Sequence, residues 1–371
     1  MMTPSSSEQN SWNLDSTRFY VLTPGGEDIL YQFDPSSMKL REGEIMRLGW
    51  MPEPQFSYTK PDLIYGINNR VRGFEQYDIG NGKVETLNKF GDCLKLDGRD
   101  KGHDITVSAD DSRFSASVGP VQDEYEYVYV FDRKQGCRWY NTWTGEVGGQ
   151  WGPKGTISIP DRARLHNSRM SKSGKYLYMT RGSGQGVGKG WLVWDIDTLN
   201  VRTCPSQCRS HHALGYNQIV GASGFTHPLD MIVRPLGDLG KITHLIPDLK
   251  ELNGARFWYD QHYSWNNANA DDTAPVCLST YNSSNPKAPR TPPLANSAWE
   301  NEIVCVSTNG TGKVWRFAHT YSTAKNGFWS TPRGNVSQDG RFFAFTSDWE
   351  DQLGQGPRGG FRTDVFVVAL E

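Results

Sequence analysis

Apolar and polar residues alternate in short runs along most of the chain. "RFYVL" (18–22), "SADDSRFSAS" (108–117), "SKSGKYLYMT" (171–180), "QDGRFFAFTS" (338–347) and "VFVVAL" (365–370) are strand-length segments. Clusters of Gly, Asp, Asn, Ser or Pro separate them, and helical periodicity is absent. The pattern predicts an all-β chain of many short strands with tight turns.

The runs recur in a fixed context. In "GHDITVSADDSRFSAS" (102–117) a histidine is followed at the fifth position by a serine, then a polar turn and a strand, and "HNSRMSKSGKYLYM" (166–179) repeats this. "HALGYNQIVGAS" (212–223) and "HYSWNN" (262–267) keep a His-x4-Asn form. Degenerate copies start at Glu8, Pro52 and Pro332, with Asn13, Ser57 and Ser337 as fifth residue. Aromatic–Asp pairs, as in "YQFDPSS", "EQYDIGNG", "YVFDRK" and "LVWDID", mark a second turn in several copies. Seven such units predict a seven-bladed β-propeller of four-stranded antiparallel blades. It spans 1–371 as a single domain, with blades opening near 8, 52, 103, 166, 212, 262 and 332. Segments 118–127, 148–165 and 279–302 read as loops. A β-sandwich with an appended domain would not produce a sevenfold recurrence.

Composition narrows the function classes. Lys and Arg total 39 against 41 Asp and Glu, a net charge of −2, so no basic field invites nucleic acid. No apolar run reaches the length of a membrane span. The start "MMTPSSSEQNSW" lacks the basic and apolar regions of a signal peptide, which leaves a cytoplasmic protein or one whose leader has been removed. Six cysteines permit disulfides: "CPSQC" (204–208) could close a small loop, and Cys277 and Cys305 could face each other on neighbouring strands. Buried thiols are the equal alternative.

Equivalent positions in a propeller face one axis, and four of the eight histidines, His103, His166, His212 and His262, occupy consecutive repeat openings. A single such histidine is most simply a packing residue bonded to a neighbouring blade. Four around one pore suggest a site, because imidazole is both a common metal ligand and a common general base. Gln261, Tyr259, Tyr263, Trp265 and Asn266 flank His262. Arg164 and Arg169 flank His166, Arg333 follows the last opening, and His319 lies just upstream of it. Nucleophile-elbow, phosphate-loop and zincin motifs are absent.

The inner-strand signature "SQDGRFFAFTSDW" (337–349), with "SADDSRFSAS" and "SKSGKYLYMT", resembles the TolB-like propellers. Within that group the chain looks most like the oligogalacturonate-lyase type of polysaccharide lyase. That resemblance implies a divalent metal (Mn, Zn or Ca) held by histidines and a glutamine near the axis, and β-elimination of uronides. Carried onto this sequence, His166, His212, His262 and Gln261 would be the ligands, although Pro332-Arg333 stands where another polar ligand is expected. His103 would be the base, Arg333 and Arg169 would neutralise charge, and Tyr259 or Tyr263 would be the acid. Trp265, Asn266, Tyr263, Arg164 and His319 would bind substrate. The expectation is a secreted or periplasmic, carbohydrate-active enzyme acting on an oligo- or polysaccharide. A non-catalytic glycan- or protein-binding propeller and a metal-dependent hydrolase or lactonase are the alternatives.

Overall fold

The computed structural model describes residues 2–4, 8–157, 162–182, 191–204, 211–222, 231–246, 260–281, 299–325, 329–356 and 359–371, with backbone only at 42–45 and 260. Seven antiparallel sheets follow one another along the chain and form a seven-bladed propeller. Their first described strands are Arg18–Leu22, Gln55–Phe56, Lys101–Val107, Leu165–Met170, His212–Leu214, Asp260–Ser264 and Gly334–Val336. The fold class read from the sequence holds.

The serine of the repeat explains why the third, fourth and seventh units turn where they do. The amides of Ser108, Ser171 and Ser337 donate to the carbonyls of Arg113, Tyr176 and Phe342 at 2.8–2.9 Å. Their hydroxyls accept the return bonds from the same three residues at 2.9, 3.1 and 3.0 Å. Gly174 and Gly340, at φ +70° and +75°, supply the left-handed step that these turns require. The first strand of each blade therefore leaves one rim and reaches its turn at the opposite face.

Between neighbouring blades lie seven apolar clusters, one for each gap of the ring. Blades are latched near the axis as well: Thr106 Oγ1 accepts the amide of Met170 at 2.9 Å, and Ser264 Oγ accepts that of Val336 at 3.0 Å. Trp12 closes the ring. It pairs with Phe19 in the first blade, stacks on Phe342 of the seventh at 6.1 Å, and donates its indole N–H to Asn335 O at 3.2 Å.

The blades are not uniform. Four have four strands. The third carries two more, Glu146–Gly149, which runs into the segment 148–165 that the sequence suggested as a loop, and Gly155–Thr156, which lies within it. In the first blade Thr3 and Trp12 supply bridges beside a three-stranded sheet, and the seventh has three strands among the described residues. Cysteines are oxidised rather than buried as thiols. Cys93 is bonded to Cys137, Cys277 to Cys305 across paired strands, and Cys204 to a partner outside the described residues.

Candidate active site on the propeller axis

The rim where the inner strands begin gathers charged and aromatic side chains from every blade. Arg169 of the fourth blade is the buried centre: Nε reaches Glu8 Oε2 at 3.2 Å and Nη2 reaches Asp104 Oδ1 at 3.4 Å. Burial alone would pull its pKa down, but Asp104, Glu8 and Glu53 outweigh burial and hold it above the ordinary arginine value. Burial pushes up the carboxyls of Asp104 and Glu53, against the pull of Arg169. Glu8 goes the other way, since His212 and Arg169 overcome its burial and lower its pKa. His212 Nε2 lies 3.4 Å from Glu8 Oε1, and its ring packs on Tyr178 at 4.0 Å. A small crevice of about 10 Å³ lies below this cluster, lined by Glu8, Gln55, Tyr58, Arg169, Lys172 and His212.

On the third blade His103 stacks on buried Tyr125 at 5.0 Å, and its buried Nε2 has no hydrogen-bond partner among the described residues. Burial holds its imidazole below the ordinary histidine value, only partly offset by Glu53. Burial also raises the Tyr125 phenol, reinforced by Asp104 and Glu53. On the sixth blade His262 is buried between His211 at 4.3 Å and Tyr281 at 5.2 Å. Its pKa falls well below the usual range through burial and the charges of His211 and Arg333. Arg333, partly buried, is drawn down by burial to about 10, with Tyr281, Glu53 and Glu8 opposing.

Of the expected residues, His103, Arg169, His212, His262 and Arg333 belong to this axial rim. His166 stands at the rim but with its side chain 43% exposed, its Nδ1 2.7 Å from Asp123 Oδ1. Arg164 is half-exposed, paired with Glu126 at 3.2 Å and lying over Trp143. His319 sits at the end of the outer strand Val314–His319, exposed and beside Tyr321. Gln261 is buried and donates to Tyr263 Oη at 2.7 Å, and Tyr263 belongs to the apolar cluster between blades five and six. Trp265 and Asn266 lie just past the other end of their strand and line a cavity of about 600 Å³ opening on the opposite face. A strand advances about 3.3 Å per residue, so three or four residues beyond His262 carry the chain some 10 Å from the rim. Tyr259 lies outside the described residues.

Sequence reasoning passed over Glu8 and Glu53 as site residues, although one fills a repeat opening and the other follows one. It also missed Asp104 and Tyr125, the latter delivered by the 118–127 insertion. The signal for Asp104 was its place directly after His103. Its φ of +59° aims a carboxylate where a regular strand would not.

With this geometry in place, comparison with known proteins gives a fold. The oligogalacturonate lyase of Vibrio parahaemolyticus aligns over 100% of this chain and 91% of its own, with a TM-score of 0.62 and 9% identity. An oligogalacturonate lyase in complex with manganese aligns over 100% and 90%, with a TM-score of 0.61 and 11% identity. A TolB from Acinetobacter baumannii reaches only 0.33 over 62% of the chain. No family profile and no curated protein matches the sequence. At such identities the shared property is the propeller.

The manganese of the second neighbour calls for a test of this chain's donors. His166, His212, His262 and Gln261 do not form a ligand set. His166 is engaged with Asp123, His212 with Glu8 and two aromatic rings, and the Gln261 amide with Tyr263. Among the described residues no group of three or more His, Cys, Asp or Glu is disposed to hold a metal ion. These four residues do not fit a divalent cation, because the inner strands present them at different depths and on different neighbours.

Proposed function

We propose that the protein is a carbohydrate-active lyase that cleaves an oligo- or polyuronide by β-elimination at the axial rim. The observation that carries the reading is His103, an imidazole kept neutral by burial, with a bare Nε2 and Tyr125 stacked against it, on the rim that also bears Arg333. Elimination requires a base for the proton beside the carboxylate, positive charge for the electrons that accumulate there, and a proton for the leaving oxygen. A neutral His103 can accept the first proton at pH 7. The Tyr125 phenol, protonated at pH 7 and stacked against His103, takes the place of Tyr263 as donor. Arg333 is short of solvation, and a substrate carboxylate would compensate for what burial takes away. Arg169, fixed by Glu8 and Asp104, is a positioning residue. None of these roles calls on a metal.

The end-to-end match with two oligogalacturonate lyases supports a uronide as substrate. The disulfides support work in an oxidising compartment outside the cytoplasm. Incubation with polygalacturonate and with glucuronate polymers should release products with the ultraviolet absorbance of an unsaturated uronate. His103→Ala and Arg333→Ala should each lower kcat/KM by about 10²- to 10⁴-fold. If no uronate polymer yields that absorbance, with or without added Mn²⁺, Ca²⁺ or Zn²⁺, the lyase reading fails. The deep burial of Arg169, His212 and His262 favours a binding scaffold as the second reading. Glycan binding without turnover, surviving substitution of His166, His212 and His262 by Ala, would favour it.

A further inference from the structure

Trp265 and Asn266, which the axial rim does not use, line the cavity of about 600 Å³ on the opposite face. Its inner part is the lower mouth of the axial channel. The turns that follow the inner strands of four successive blades meet there: 266–269 of the sixth, 337–340 of the seventh, Leu14 of the first and Tyr58 of the second. Tyr58 also lines the crevice below Glu8 and Arg169, so one residue is the common wall of the two spaces. From the mouth the cavity runs outward along the gap between the sixth and seventh blades. It passes the Cys277–Cys305 disulfide and reaches Trp315, Phe317 and Leu370.

Most polar groups on these walls are spent within the protein. Asn267 donates to Asp272 Oδ1 at 2.7 Å and to Asn269 O at 3.2 Å, and Ser337 donates to Asp339 at 2.6 Å. Asp339, the one carboxylate among the described lining residues, is paired with Arg341 at 2.7 Å. Two side-chain oxygens are left over. Asn266, only 6% exposed, donates its amide N–H to Val336 O at 2.5 Å, and that carbonyl fixes which way round the amide stands. Its oxygen faces away from Val336 and accepts no bond from a described residue. Gln338 donates to Trp12 O and Ser57 O, both at 3.0 Å, which leaves its Oε1 in the same position. Both residues line the cavity. No Lys, Arg or His is among the described lining residues, and Lys313 beside it is held with Nζ over the Trp315 ring at 4.5 Å.

A concave space of roughly 300–1,000 Å³ with apolar walls and a few fixed polar atoms is the form of a small-molecule site. What this one offers and withholds defines its occupant. Two oriented oxygens without donors ask for a ligand that donates. The lack of a cation excludes the uronates suited to the rim, since a carboxylate entering here would lose its hydration without compensation. Trp315, Phe317 and the edge of Trp265 favour a flat ring. A pyranose, with hydroxyls all round, would leave most of them unpaired against such walls. We propose that the lower mouth of the axial channel binds a neutral two-ring aromatic molecule carrying a hydroxyl, a phenol or aryl alcohol, whose O–H donates to Asn266 or Gln338 while its rings lie toward Trp315 and Phe317.

Three probes read this by calorimetry and ligand-observed NMR. The wild-type chain should bind 2-naphthol at one site. It should bind 2-methoxynaphthalene, which keeps the rings but has no donor, about tenfold more weakly, and the anion 2-naphthoate more weakly still. Trp315→Ala, and Ala268→Trp, which puts an indole into the cavity, should each weaken naphthol binding at least tenfold. Trp349→Ala, at the rim end of the seventh blade, should leave it unchanged. Asn266→Leu should narrow the preference for naphthol over its methyl ether. Oligogalacturonate should not displace naphthol, so the outcome is independent of the lyase reading. A wild-type chain that binds no naphthol at millimolar concentration overturns the proposal. So does equal affinity for the three probes, or binding indifferent to both Trp315→Ala and Ala268→Trp. Should Asn266→Leu fail to fold, the ratio of naphthol to methyl-ether affinity in the wild-type chain decides the donor's role alone.

Discussion

His262 takes its chemistry from burial. Its imidazole is held well below the ordinary range, while the unfolded chain takes up that proton near pH 6.5. Below about pH 6.5 the unfolded state binds more protons than the folded one, so stability falls as the solution is acidified. His103 acts in the same direction, more weakly because Glu53 opposes its burial. Asp104 and Glu53 act oppositely at lower pH, since their raised pKa values favour the folded state as they protonate. Denaturant midpoints should therefore drop between pH 7 and 5.5, and His262→Phe should flatten that drop; equal slopes in both proteins would refute the assignment. Lys172 gives the alkaline counterpart. Its Nζ donates to Leu214 O and Trp265 O at 2.6 and 3.1 Å, and burial pulls its pKa down to about 8. From there to the unfolded value near 10.4 the unfolded chain holds a proton that the folded one has released. Stability should rise across that window in the wild-type chain and not in Lys172→Met.

At the scale of elements, the inner hairpins of the third, fourth and seventh blades depend on one hydroxyl each. Ser337 Oγ accepts the Phe342 amide at 3.0 Å and donates to Asp339 at 2.6 Å, so Ser337→Ala should cost about 0.5–1.5 kcal/mol per bond lost, measured by equilibrium unfolding. These hairpins were legible because a serine, a turn with Gly or Asp, and an alternating strand are local signals. The position of each histidine along its strand was not. In the fifth blade Gly215, not Asn217, closes the turn by donating to Gln218 O at 2.9 Å, and Asn217 donates instead to Asp272. His212 thus stands three residues before its turn while His103 and His166 stand five before theirs. Equal spacing in sequence concealed unequal depth in the channel, and with it the reason why the expected metal ligands do not converge. Tyr125 was invisible for a different reason: it arrives on an insertion whose path no periodicity encodes.

At the scale of the molecule, seven gaps filled by apolar clusters make the ring a circuit, and the join between the first and seventh blades is predicted to be its weakest. Disulfides reinforce other parts. Cys93–Cys137 closes a separation of 44 residues, for which loop entropy gives about 4 kcal/mol, so removing both cysteines should lower stability by about 2–4 kcal/mol. The closing join depends on Trp12, fully buried between Phe19, Phe33 and Phe342. Trp12→Ala should cost about 3–5 kcal/mol, as large-to-small core changes do. Trp194→Ala, in the gap between the third and fourth blades, should cost a similar amount, so total stability cannot separate the two. Local exchange can. Losing Trp12 removes the indole bond to Asn335 O and the stack on Phe342, and so should speed exchange at 11–13 and 334–346 above the global rate. Losing Trp194 should leave those amides at the global rate. If the two variants have the same exchange pattern, closure is no weaker than any other gap.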